Sequence, residues 1–278
     1  MTYRSFIAAA FVALSVALLS LAALLSGCAG GSRQDSTNQP AALSFDTLTY
    51  SRIDTADASL RFSLIAEIAL PEDYGTEALR NNIISDVLGR QFTGKADRRL
   101  LENYADTIRT EMTIPEIEDF AGTVQMRYEE KLHGSVTFAA DSFLCYSRTL
   151  YIYQGGAHGL QTVQHFTYRL PDGTPLHEDN VFDPAAKDRL TELLVSEADR
   201  LRNDTILPRG KNEYFNDRNI VPNGNFHITD SGIVYQYNPY DIAPYSFGAV
   251  EIMLPVDKVM PLLNRQSPVF GFFFGKCR

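Results

Sequence analysis

The chain has 278 residues, 45% hydrophobic and 21% charged, with a net charge of −9 at pH 7. That acidity argues against a nucleic-acid partner and permits electrostatic steering of a basic protein; the bland alternative is that it only keeps the protein soluble. Three cysteines are too few for a disulfide framework.

Arg4 opens a short positive segment, and residues 6–25 form an uncharged run rich in Ala, Leu and Val. The run ends in Leu25-Ser26-Gly27-Cys28, a lipobox. Small residues closing the run favour a cleaved signal peptide, residues 1–27, over a membrane-spanning anchor of similar length. Cys28 is the expected lipidation site, and each buried acyl methylene contributes about 0.8 kcal/mol of anchoring. Cleavage leaves 251 residues (278 − 27) with a charge near −10 (−9 − 1, from loss of Arg4). Residues 28–40, with Gly, Ser, Gln and Asn and no apolar period, read as a flexible tether.

Residues 43–50 and 60–70 alternate or run apolar and predict a hairpin around Asp54 to Asp57. Thr76 reads as the N-cap of a helix with Leu79, Ile83, Ile84, Val87 and Leu88 at helical spacing. A second helix is expected over 96–112, on the face of Leu100, Leu101, Tyr104 and Ile108, with Pro115 beyond its end. Strands follow at 124–128, 135–139 and 143–153, and after a glycine-rich break a further strand at 160–170. Pro171-Asp172-Gly173 signals a tight turn. Asp183 and Pro184 signal the start of a third helix with Leu190, Leu193, Leu194, Ala198 and Leu201 on its buried stripe. The last third predicts strands at 226–229, 233–237 and 249–254, a Pro-punctuated loop at 238–245, a short helix at 255–263, and a final apolar strand in the tail.

This order gives an α+β fold of antiparallel sheets packed with helices, in two consecutive modules, 41–154 and 155–278. Cys145 and Cys277 either pair in an oxidising compartment or stay as buried free thiols.

Three segments together carry a resemblance: "GGAHG" at 155–159, "PDGTPLHEDNVF" at 171–182, and "NFHITDSGIVYQYNPYDIAPYSFGAVEIMLP" at 225–255. They resemble the RsiV-type C-terminal domain, known from a lysozyme-sensing anti-sigma factor and as an accessory domain of some peptidoglycan deacetylases. The preceding module is similar, more weakly, to the PdaC-type companion that usually stands before it. The resemblance implies an extracytoplasmic α+β unit with a surface for an envelope ligand. Sigma-factor inhibition and deacetylation do not carry over, because the chain has neither a cytoplasmic sigma-binding segment nor a separate deacetylase domain.

His158 is the first candidate for chemistry. A catalytic base needs an orienting carboxylate and an acceptor nearby. The bland alternative is an imidazole that hydrogen-bonds backbone in a loop whose glycines supply positive φ. His165 and His177 follow at spacings that match no zinc motif, so neither a metal nor a cofactor is expected. Ser147 and Ser246 stand outside a nucleophile-elbow pattern. Asp172, Glu178, Asp179 and Asp183 form an acidic cluster that turns and N-caps explain. Tyr235 and Tyr237 share a strand face and suit packing, with Phe247 nearby. Tyr240 and Tyr245, on the Pro-stiffened loop beside Asn238, suit binding.

The expectation is therefore a recognition module without catalysis, anchored at the cell envelope through lipidated Cys28. Its ligand is an envelope protein, such as a basic lysozyme-like enzyme, or a glycan, gripped around His158, Asn238, Tyr240 and Tyr245. The alternative is a hydrolase of peptidoglycan or another glycan that uses His158 with Asp172.

Overall fold

The computed structural model describes residues 43–56, 60–72, 76–94, 99–112, 126–203 and 219–276. The apolar leader, Cys28, the tether, the strand start at 124–125 and Cys277 lie outside the described residues. Among the described residues no helix is long and apolar enough to cross a membrane.

Strands β1 (Phe45–Asp54) and β2 (Leu60–Pro71) form the expected antiparallel pair. β2 then pairs in parallel with β3 (Met126–Ala140). A parallel pair needs a long crossover, and the helices α1 (Glu77–Val87) and α2 (Leu100–Glu111) fall within that stretch of chain. β4 (Phe143–Tyr153) and β5 (Leu160–Arg169) extend the sheet antiparallel, giving the order β1-β2-β3-β4-β5. The strands expected at 124–128 and 135–139 are thus parts of one strand, β3. The border expected between residues 154 and 155 runs between two hydrogen-bonded neighbours of one sheet, β4 and β5.

One face of this sheet buries Phe62, Leu64, Ile68, Tyr128 and Leu132 against Leu79, Ile83 and Ile84 of α1 and Leu100 and Tyr104 of α2. The alternation of buried and exposed residues along β2 supplies that face. Glu130 is buried there as well, and it is held by the Tyr104 hydroxyl, which donates to it at 2.6 Å, and by the Tyr128 hydroxyl.

A three-stranded meander of β6 (Phe226–Thr229), β7 (Gly232–Tyr237) and β8 (Val250–Pro255) forms the second sheet. Short α3 (Glu178–Val181) and long α4 (Lys187–Asn203) precede it, and α5 (Val256–Val259) and α6 (Pro268–Lys276) follow. Leu190, Leu194 and Ala198 of α4 meet Ile233, Ile252 and Leu254 of the sheet and Phe273 of α6. Asp183 accepts from the Ala185 amide at 2.9 Å, which starts the chain turning into α4 as expected. Glu197 of α4, itself buried, receives Lys258 of α5 at 2.5 Å.

The tail is a correction. It forms the helix α6, not a strand. A short unbroken apolar run has neither helical nor strand period. Ser267-Pro268 is a helix-start signal, and the Ser267 hydroxyl accepts from the Val269 amide at 3.3 Å. Helical spacing then buries Val269 and Phe273 four residues apart, and stacks Phe270 on Phe274 at 5.7 Å.

The two cores meet on β4. Leu144 and Tyr146 point into the first, and Phe143 and Cys145 into the second. β3 follows the same division through a bulge between Val136 and Phe138. Without the extra residue, positions 136 and 138 would face the same way. With it, Val136 packs on the first core and Phe138 on the second. Cys145 is a free thiol, 3.6 Å from the Thr167 hydroxyl, and burial pushes its pKa up to about 11.

Phe143 is fully buried and stacks with Phe138 at 6.0 Å and edge-on with Phe272 at 5.3 Å. Phe143→Ala is expected to destabilise the fold by about 3–5 kcal/mol. Urea denaturation checks this, and a loss under about 1 kcal/mol contradicts the shared-strand packing.

Candidate functional site

The site is built at the tip of the β4–β5 hairpin. Gly155 and Gly156 turn the chain with φ of 95° and 92°, a region that disfavours side chains. Gly159 is fixed for a different reason. A Cβ there would lie 2.4 Å from the Tyr151 ring, so the backbone and the ring touch directly. The Gly159 carbonyl accepts twice, from His158 Nδ1 and from the Tyr245 hydroxyl, each at 3.0 Å. Because a carbonyl only accepts, His158 carries its proton on Nδ1, which leaves Nε2 as an acceptor when the ring is neutral.

These two bonds hold the rings of His158 and Tyr245 face to face, with centroids 3.9 Å apart and planes 15° from parallel. Tyr240 continues the row, its ring 5.8 Å from that of Tyr245. Tyr240 is 60% exposed, the most open tyrosine among the exposed large hydrophobics. It is also the one described non-glycine residue with a positive φ, 77°. That conformation costs a side-chain-bearing residue about 1–2 kcal/mol. Three bonds of its loop hold it there. The Tyr240 amide donates to the Ala243 carbonyl at 3.0 Å, the Asp241 amide to the Asn238 carbonyl at 3.0 Å, and the Asn238 amide to Asp241 Oδ2 at 2.7 Å.

The loop is tied to the first sheet through the free edge of β5. Asn238 Oδ1 accepts from the Val163 amide at 2.7 Å, and its Nδ2 donates to the Val163 carbonyl at 3.1 Å. Asn225 repeats the arrangement one step along. Its Oδ1 accepts from the His165 amide at 2.8 Å, and its Nδ2 donates to the same Val163 carbonyl at 2.8 Å. Two side-chain amides thus complete the edge of the sheet as a neighbouring strand would.

His158, Tyr240 and Tyr245 therefore lie in one row, with Asn238 at its base. Asp172 is elsewhere. It pairs with Arg169, which donates to it at 2.5 and 3.1 Å, and it accepts from the Thr174 amide at 3.1 Å. That pairing holds its carboxyl well below the usual range. His158 and Asp172 flank opposite ends of the ten-residue β5, a strand about 30 Å long. The structure does not bring this pair together. The strand tyrosines pack: Tyr235 donates to Glu178 at 3.0 Å and Tyr237 to the Val221 carbonyl at 2.8 Å, both from the core. Glu178 also accepts from the Gly224 amide at 2.9 Å. Among the described residues no cluster of three His, Cys, Asp or Glu side chains is placed to hold a metal ion.

Two features of the site go beyond the sequence expectations. One is the Asn225 clamp, since "NGN" reads as loop. The other is a histidine pair behind it. His165 on β5 and His227 on β6 meet with ring centroids 4.3 Å apart. Both ring nitrogens of His165 and Nδ1 of His227 are buried and lack a hydrogen-bond partner of ordinary geometry. Burial, then the neighbouring His227, push the pKa of His165 down to about 4, against the pull of the nearby Gln236 amide. Burial lowers His227 too, opposed by Glu251.

A folded-state pKa below the unfolded value of about 6.5 means that the unfolded chain takes up the proton first as pH falls. The His165 contribution, roughly 3 kcal/mol, is then fully present above pH ~6.5 and is lost progressively toward pH ~4. Unfolding free energy is expected to fall from pH 7 to pH 5, with a shallower slope in His165→Leu. Equal slopes in the two proteins contradict the assignment.

Residues 179–257 match the DUF3298 family model, described as a protein of unknown function. Asn225, Asn238, Tyr240 and Tyr245 lie inside this stretch, and His158 and β5 precede it. A solved member of the DUF3298 family from Bacteroides fragilis is 24% identical with a TM-score of 0.72, covering 84% of this chain and 98% of that one. A DUF3298 family protein from Pseudomonas aeruginosa is 16% identical with a TM-score of 0.55, covering 82% and 96%. These likenesses establish the fold. None of the curated proteins matches the chain.

Proposed function

We propose that this protein is a recognition module of the bacterial cell envelope that holds its ligand, an envelope protein or glycan, against the His158–Tyr245–Tyr240 row without catalysis. The reading includes a lipid anchor on Cys28, and it assigns residues 155–278 to the RsiV-type domain and 41–154 to its PdaC-type companion. The observation that carries it is Tyr240. A large ring, 60% exposed, is kept at a positive φ by the bonds of its own loop. Strain retained at an exposed aromatic residue points to use of that residue. Rigid rings supply contact area with little side-chain entropy to lose, which suits a binding surface.

The hydrolase alternative loses support from the same geometry. Asp172 is committed to Arg169 at the far end of β5, so the ring of His158 is oriented by a backbone carbonyl and not by the carboxylate that this alternative pairs with it. The net charge of −9 favours a basic protein among protein ligands.

The test is calorimetric titration of the full-length chain in detergent with lysozyme and, separately, with soluble peptidoglycan fragments. Binding to at least one is expected, weakened tenfold or more in the Tyr240→Ala, Tyr245→Ala double variant. If lysozyme is the ligand, raising salt from 50 to 500 mM weakens binding, because exposed charges are screened. Undiminished binding by the double variant, or hydrolysis of the fragments that depends on His158, overturns the reading. Tyr240→Gly separates strain from use. Relief of the backbone cost should leave stability within about 1 kcal/mol of the parent, while ligand binding is lost.

A further inference from the structure

The 238–245 loop that carries Tyr240 and Tyr245 also lines an open cavity of 480 Å³. Among the described residues its polar lining is nearly all carboxamide: Gln164, Asn219, Asn223, Asn225 and Asn238, with Asp241 as the single charged group. Val221 and Tyr237 supply an apolar wall. The volume lies in the range of small-molecule sites.

The amides are positioned by the protein, not by solvent. Asn219 Nδ2 donates to the Asp241 carbonyl at 3.0 Å, and Asn223 Nδ2 to the Gln236 carbonyl at 2.9 Å. The Nδ2 groups of Asn225 and Asn238 both donate to the Val163 carbonyl, at 2.8 and 3.1 Å. A carboxamide has two N–H donors, so each asparagine is locked by one and retains the other. Gln164 is exposed on β5 and brings a further donor and acceptor.

We infer that this cavity is a subsite for a neutral saccharide, and that the ring row is the platform on which the adjoining sugars lie. This rests on the reading of the row as a recognition surface. Carboxamides donate and accept at once, as sugar hydroxyl and acetamido groups do, so the two sets complement each other pair by pair. Among the described residues no cation lines the cavity, and the Asp241 carboxylate there repels a phosphate or a uronate. Asp241 Oδ2 already accepts from the Asn238 amide, which leaves Oδ1 to accept from a hydroxyl. The loop that gives Asn238 and Asp241 to the cavity also gives Tyr240 and Tyr245 to the row, so one ligand chain can engage both. The exposed Tyr240 ring can pack its face against the apolar face of a sugar ring, and the stacked His158 and Tyr245 rings adjoin it with their edges.

The experiment is titration calorimetry of the full-length chain in detergent with the β-1,4-linked tetramer of N-acetylglucosamine, at 50 and 500 mM salt. Binding is expected, with less than a twofold change between the two salts because the ligand is uncharged. Gln164→Leu, an exposed position, and Asn219→Leu should each weaken it tenfold or more, with melting temperatures held near the parent. If the tetramer does not bind at millimolar concentration, the inference is overturned. It is overturned as well if the tetramer binds and both cavity variants bind like the parent. If in that case Tyr240→Ala still abolishes binding, the row stands as the platform and only the cavity is removed. Loss in the cavity variants with no effect of Tyr240→Ala supports the cavity and removes the row.

Discussion

Two asparagine amides placed on the bare edge of a β-sheet determine the shape of the candidate site. Asn225 and Asn238 use both ends of their carboxamides on Val163 and His165 of β5, which seats the second sheet's loops against the first sheet. An uncovered sheet edge leaves backbone donors and acceptors open to another chain, and here they are spent inside the molecule. Everything in the site is positioned from this join. The loop after Asn238 carries Tyr240 and Tyr245, and the strand before Val163 begins at the glycine turn that carries His158. A change in how β5 and the loop meet would move the rings relative to one another.

The join is reinforced from below by a strand that serves two cores. The bulge in β3 and the alternation along the start of β4 let Phe138, Phe143 and Cys145 face the second core while Val136, Leu144 and Tyr146 face the first. Apolar burial therefore fixes the approach of the two sheets, and the asparagines fix their register. Buried between them, the imidazoles of His165 and His227 make the join sensitive to acid, since burial disfavours the charged form of both rings.

Much of this fold is legible from the residues alone. Regular elements with a clear period, such as the alternation of β2 and the Leu190–Leu194–Ala198 stripe of α4, follow from burial of one face. The tail was less legible because "VFGFFFG" has no period, and only the Ser-Pro pair before it marks a helix. The division between residues 154 and 155 follows the glycine break, which is a hairpin turn inside one sheet. In the site, the rings on the 238–245 loop and the histidine of the glycine turn are visible as residue types. Their stacking is not, because it depends on a join made by Asn225 some 60 residues beyond β5. Long-range hydrogen bonds from single side chains leave no pattern in a sequence.

The central claim is that the exposed row of rings, and not the buried tyrosines or the acidic turn, takes the ligand. It is tested most directly by aromatic NMR of the full-length chain in detergent, with carbon-13-labelled tyrosine and histidine, titrated with peptidoglycan fragments or lysozyme. The account predicts shifts at Tyr240, Tyr245 and His158, with Tyr235 and Tyr237 unmoved. Saturable binding that leaves the rings of His158, Tyr240 and Tyr245 unshifted contradicts it.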